Sequence, residues 1–197
     1  MKIILSFSPH TDDSEFGASG LLLKCIEKGF TAFVYAFSAP HQNLEAEMRA
    51  ACKILGVTPL FSCNTYLTRH FAGARQLILE EMFQISKELN PDIVLAPSLA
   101  DTHQDHEVIS KEAFRAFKRK CVLGYEMPYN NLDFNANYFV ELSEGQLQKK
   151  IAALNCYKTQ YGRITDTADF VRSLAVVRGA QIGVKYAEAF NVTRWIT

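Results

Sequence analysis

Twice in this chain a short apolar run ends abruptly in a polar turn rich in histidine and aspartate. Lys2 to Phe7 runs into Ser8-Pro9-His10-Thr11-Asp12-Asp13-Ser14-Glu15, and Ile93 to Ala96 runs into Pro97-Ser98-Leu99-Ala100-Asp101-Thr102-His103-Gln104-Asp105-His106. Helical spacing of apolar residues follows each turn, over Leu21 to Ile26 in the first case and at Val108, Ile109, Ala113 and Phe117 in the second. Strand, polar turn and helix, repeated in that order, predict a parallel sheet with crossover helices. Open α/β sheets bind ligands beyond the carboxyl ends of their strands. Both acidic turns then lie on one edge of the sheet, and residues about ninety apart in sequence can share a site.

The remaining pattern extends the same rhythm. Strands are expected at Thr31 to Phe37, Thr58 to Cys63 (weakened by Pro59), Cys121 to Tyr125, Tyr138 to Leu142 and Ala187 to Thr193. Helices are expected over Leu44 to Leu55, Leu77 to Leu89, Ser143 to Tyr157 with Ser143 as cap, and Asp166 to Ile182. Asn64 to Gly73 and Tyr161 to Thr165 read as irregular. With 197 residues and no linker or repeat, the expectation is a single α/β domain over residues 1–197, a Rossmann-like three-layer sandwich with a mostly parallel sheet.

Composition narrows the function. The 21 basic and 21 acidic residues cancel, which argues against a nucleic-acid binder. No stretch approaches the roughly 20 apolar residues of a membrane span, and no signal-peptide pattern is seen, so a soluble cytoplasmic protein is the expectation. The five cysteines form no CxxC pair and read as reduced core residues. Gly17 and Gly20 lack the spacing of a dinucleotide-binding loop.

The two turns carry the chemistry. His10 and Asp13 are three apart where a helix begins, and His103 and His106 repeat that spacing. Two imidazoles and one carboxylate leave a coordination position open, as in catalytic rather than structural zinc sites. The remaining Asp and His are then free for acid–base work or oxyanion stabilisation. Spacing alone does not choose between Asp12 and Asp13, or between His103 and His106. A plainer account has the aspartates capping the first helix and the histidines in solvent; the coincidence of both clusters at one sheet edge favours a site. The same donor set also suits a non-haem iron oxygenase, a metal-dependent phosphoesterase, or an inactive sugar-binding module of the same fold. His41 and His70 stand alone in loops and are set aside.

Pro9-His10-Thr11-Asp12-Asp13-Ser14-Glu15-Phe16-Gly17-Ala18-Ser19-Gly20 resembles the His-Pro-Asp-Asp signature of the LmbE/PIG-L family of zinc-dependent de-N-acetylases. His103-Gln104-Asp105-His106 resembles the family's second motif, and Arg178 to Phe190 is similar to the end of its members. The chain has Thr11 where the family usually has proline, which implies a softer turn. The resemblance implies zinc held by His10, Asp13 and His106, with Fe2+, Co2+ or Mn2+ as alternatives. It implies Asp12 as general base, His103 as oxyanion stabiliser or acid to the leaving amine, and Asp105 as the carboxylate that orients an imidazole.

The implied reaction is hydrolysis of the acetamide of an N-acetylglucosamine conjugate, releasing acetate. The implied partner is a small amino-sugar conjugate, and family members suggest a homo-oligomer, a trimer or hexamer. Arg69 and Arg75 flank the irregular stretch and are candidates for an acidic aglycone. Tyr125 and Glu126, at a strand end, are candidates for the pocket wall, with Tyr129 and Asn130 behind them.

Overall fold

The computed structural model describes residues 2–64, 66–160 and 167–196. Among these, seven strands form one sheet in the order β3-β2-β1-β4-β5-β7-β6. They are β1 (Ile3–Ser8), β2 (Thr31–Ala36), β3 (Thr58–Phe61), β4 (Ile93–Pro97), β5 (Cys121–Tyr125), β6 (Tyr138–Glu141) and β7 (Ala187–Arg194). The first five are parallel, and β7 runs antiparallel between β5 and β6. The helices are α1 (Asp13–Glu27), α2 (Gln42–Leu55), α3 (Phe71–Leu89), α4 (Gln104–Ala116), α5 (Glu144–Leu154) and α6 (Thr167–Ala180). The loop expected at Tyr161 to Thr165 lies outside the described residues, as does the first residue of the last expected helix.

Alternation along the strands builds two cores. Ile4, Val34, Leu95 and Leu123 face α1, α2 and α5, while Leu5, Phe7, Val94 and Val122 face α3 and α4. This two-residue period fills both faces of the sheet and makes the three-layer sandwich. Pro59 is tolerated because β3 is an edge strand, paired only with β2.

Strand order reverses between β1 and β4. From β1 the chain winds outward through β2 and β3, and from β4 it winds the other way through β5. Ile4 pairs with Ile93, Leu5 with Val94 and Ser6 with Leu95, so the turns after these two strands emerge side by side. Such a switch point opens a crevice between adjacent loops. Helix α1 then lies close against the sheet because Gly17 has no side chain: a Cβ there would come within 2.3 Å of the Tyr125 ring. That close approach, rather than a phosphate, explains the glycine.

Helix α3 begins at Phe71, six residues before the expected Leu77. The reason is distant in sequence. Asp105 accepts the backbone N–H groups of Arg69 at 2.6 Å and Phe71 at 3.2 Å, satisfying donors that a helix start otherwise leaves open. Among the described residues no helix is long and apolar enough to cross a membrane.

Candidate active site

Three donor atoms meet at the switch point. His10 Nδ1 lies 3.3 Å from Asp13 Oδ2, His106 Nε2 lies 3.3 Å from the same oxygen, and the two ring nitrogens are 3.4 Å apart. Ligands held about 2.1 Å from a tetrahedral zinc ion are themselves about 3.4 Å apart. The triangle therefore fits a divalent cation, with a fourth position left open. His10, His103 and Asp105 also offer donors within reach of one another. In that second set His10 Nε2 and Asp105 Oδ2 lie 3.0 Å apart as a hydrogen-bonded pair, and His103 Nδ1 accepts the Asp105 backbone N–H at 3.2 Å.

Each histidine of the triangle is oriented through its other nitrogen. His10 Nε2 lies 3.0 Å from Asp105 Oδ2, and His106 Nδ1 lies 2.7 Å from Asp101 Oδ2. Carboxylates in those positions fix ring tautomer and aim the free lone pair at the cation. Asp101 is buried, and its second oxygen accepts the His103 backbone N–H at 2.9 Å. Asp101 has no role in the sequence reading, although it stands in the same acidic turn two residues before His103.

The electrostatics favour positive charge at this point. Burial works against a charged His10, but hydrogen bonds to Asp105 and Asp13 outweigh it and lift its pKa to about 9. Burial also opposes charge on His106, and Asp13 and Asp101 lift it to about 10. Asp13 pays the same desolvation cost, yet the two histidines hold its carboxyl far below the usual range. Three buried carboxylates, Asp13, Asp101 and Asp105, thus surround two imidazoles and call for a cation, either protons or a metal.

His103 differs from the other two. Burial, followed by the nearby His106 and His10, lowers its pKa. Its Nδ1 accepts the Asp105 backbone N–H at 3.2 Å, so the neutral ring carries its proton on Nε2. A neutral imidazole with an available Nε2–H is a hydrogen-bond donor. Asp12 stands half-buried at the start of α1. Two residues on, Ser14 donates its backbone N–H to Ser8 Oγ at 3.0 Å, so Ser8 takes over the capping that the plainer account assigned to the aspartates. The turn is pinned from outside, since the Thr11 carbonyl accepts the Tyr157 hydroxyl at 2.5 Å. A proline is not needed to hold it.

The candidates for the pocket wall are placed otherwise. Tyr125 is fully buried, with its hydroxyl on the Phe7 carbonyl at 2.9 Å, and so forms the floor beneath the site. Glu126 is buried in a bidentate pair with Arg178, beside a cavity of about 20 Å³ that Lys150 and Glu188 also line. Glu188 bonds Lys150 at 2.7 Å and the α1 backbone N–H groups of Gly20 and Leu21 at 2.8 and 3.0 Å. This network ties the C-terminal elements to the helix that carries Asp13. Arg75 pairs with Glu112 and is spoken for. Arg69 is exposed, and Tyr129 rests edge-on against Phe16 with 55% of its surface open. A larger groove of about 630 Å³ between β3 and α3 includes none of the clustered residues.

A doubly wound sheet with a His/Asp triangle at its switch point defines an α/β protein whose site is suited to a divalent cation. The chain belongs to the PIG-L family: the family model described as GlcNAc-PI de-N-acetylase matches residues 5–117. It is 24% identical to the diacetylchitobiose deacetylase of Thermococcus kodakarensis, an alignment spanning 97% of this chain and 83% of that protein. In structure it is similar to a conserved protein of Thermus thermophilus, with a TM-score of 0.85 and 23% identity over 100% of this chain and 97% of that one. It is also similar to the 4-carboxy-2-hydroxymuconate hydratase GalB of Pseudomonas putida, with a TM-score of 0.80 and 19% identity over 100% and 98%.

Proposed function

We propose that this protein is a metal-dependent N-deacetylase that removes the acetyl group from a 2-acetamido sugar conjugate. The observation that carries the reading is the triangle of His10, Asp13 and His106, with each imidazole backed by a buried carboxylate. Family membership and the likeness to a diacetylchitobiose deacetylase support the choice of an acetamide as the bond broken.

In this reading His10, Asp13 and His106 hold the ion, with zinc the first choice for a set of two nitrogens and one oxygen. The bound ion supplies Lewis-acid polarisation of the acetamide carbonyl and acidifies water. Asp12, next to Asp13 on the turn, takes the proton from the attacking water and delivers it to the amine nitrogen as the C–N bond breaks. His103 donates its Nε2–H to the developing oxyanion, a role its lowered pKa and its tautomer favour over that of a permanently charged acid. Asp105 keeps His10 in register and anchors the β3–α3 loop through Arg69 and Phe71. Tyr125 stiffens the floor and does not touch substrate.

The test is acetate release from N-acetylglucosamine conjugates by metal-loaded protein. Chelator-sensitive release supports the reading. Hydration of an unsaturated tricarboxylic acid, with no acetate released from any sugar, would instead align this chain with the activity named for its Pseudomonas putida structural relative.

A further inference from the structure

We infer that Tyr157 is a positioning residue that aims the carboxylate of Asp12. The inference rests on the deacetylase reading, in which Asp12 is the general base, and adds the distant side chain that holds this base in line.

Asp12 and Asp13 are fixed in different ways. Asp13 Oδ2 accepts the His10 backbone N–H at 2.8 Å and lies between the two ring nitrogens, so its side chain is tied on three sides. Asp12 is held through its backbone. Its carbonyl accepts the Phe16 N–H at 3.0 Å and opens α1, while its carboxylate caps no N–H of that helix. A general base works only when its oxygen stays within hydrogen-bond reach of the proton it takes. An error of about 1 Å in such a placement can cost about 10²-fold in rate. The direction of the Asp12 side chain therefore depends on the peptide plane that precedes it.

Tyr157 fixes that plane. Its hydroxyl donates to the Thr11 carbonyl at 2.5 Å, across 146 residues of sequence. The Thr11 carbonyl and the N–Cα bond of Asp12 belong to one planar unit, so holding the oxygen sets the swing of Asp12. Tyr157 and Thr11 are both buried, which shields the bond from solvent and strengthens it. The ring is itself braced on both sides along the chain. Tyr157 follows α5, which packs on α1 and α2, and its backbone N–H bonds the Leu154 carbonyl at 3.1 Å. Two residues on, Thr159 donates its backbone N–H and its hydroxyl to the Glu47 carboxylate of α2 at 2.9 and 2.6 Å. The hydroxyl is thus a fixed point against which the turn is set. A phenylalanine would fill the same space in the core, so packing alone does not call for the hydroxyl.

The test compares full-length wild type with Tyr157→Phe, and uses Tyr186→Phe as the control. Tyr186 is also buried, and its hydroxyl accepts an Arg172 N–H of α6 at 2.8 Å rather than bonding the turn. Two readouts are taken: acetate release from N-acetylglucosamine conjugates by metal-loaded protein, and backbone hydrogen exchange followed by mass spectrometry. In Tyr157→Phe, kcat should fall about 10- to 100-fold, the range for losing a partner that orients a working residue. KM and bound metal should hold. Exchange should quicken over residues 10–16 and match wild type over residues 101–106. Tyr186→Phe should keep the wild-type kcat and the wild-type exchange at the turn. An unchanged kcat in Tyr157→Phe, equal losses in the two variants, a loss that falls on KM or metal content instead, or unchanged exchange over residues 10–16 would overturn the inference. Faster exchange at the turn in Tyr157→Phe, with no acetate released by the wild type, would uphold the hold on Asp12 and reject the deacetylase reading.

Discussion

Asp101 Oδ2 lies 2.7 Å from His106 Nδ1, and its other oxygen takes the backbone N–H of His103. A single buried carboxylate thus fixes both histidines of the second turn. Removing such a partner typically costs 10- to 100-fold in metal affinity. Asp101→Asn should weaken metal binding by about that factor, read by competition with a chelator, while far-ultraviolet dichroism holds. An unchanged dissociation constant would show that His106 needs no help from Asp101.

Asp12 and Asp13 are neighbours with opposite assignments. Asp13→Ala and His106→Ala should strip the ion. Asp12→Asn should retain it and lose about 10²- to 10⁴-fold in kcat, the span for a general base. Metal analysis of the purified variants separates the two. Loss of the ion from Asp12→Asn would exchange the assignments.

Proton competition gives a pH dependence with a definite sign. In the protein without metal, His10 and His106 hold protons up to about 9 and about 10. A metal must displace those protons, so its affinity should rise with pH across the neutral range, with proton release on binding. Stability of the metal-free protein should move the other way. Both histidines have folded pKa values above the usual 6.5, so their contribution is complete below that value and is lost as pH rises toward 9 to 10. Thermal melts of metal-free and loaded protein at several pH values check both. Metal affinity that falls over this range would contradict the account.

Tyr125 and Gly17 form a pair whose effects are structural. Tyr125→Phe removes the hydrogen bond to the Phe7 carbonyl and should cost about 1–2 kcal/mol of stability with little change in KM. Gly17→Ala forces a methyl group against the Tyr125 ring, which a Cβ would approach to 2.3 Å, and should cost about 1–3 kcal/mol as an overpacked core. Denaturant melts read both. A large rise in KM for Tyr125→Phe, with stability intact, would return Tyr125 to the pocket wall.

The sheet and the pairing of the two acidic turns are legible because they follow from periodicity. Apolar runs ending at Phe7 and at Ala96, each followed by a helical pattern, predict a parallel sheet, and a parallel sheet puts both turns on one edge. The start of α3 is not legible, since its first N–H, that of Phe71, bonds Asp105, 34 residues away. Glu126 looks like a pocket residue from its strand-end position, and nothing local betrays its pairing with Arg178, 52 residues on. Tyr125 could have been placed. It shares strand parity with Leu123, and both enter the core on the α1 face. Asp101 is visible as an acid in the right turn, but only the geometry shows which imidazole it serves.

The most direct test of the central claim joins metal content and turnover on one preparation. Purified protein is analysed for bound metal by mass spectrometry and then assayed for acetate release from a panel of N-acetylglucosamine conjugates, with and without a chelator. The account predicts a single divalent ion per chain and acetate release that the chelator abolishes and added zinc restores. Protein that binds no ion under any loading condition, or that releases acetate equally well after its ion is removed, would contradict it.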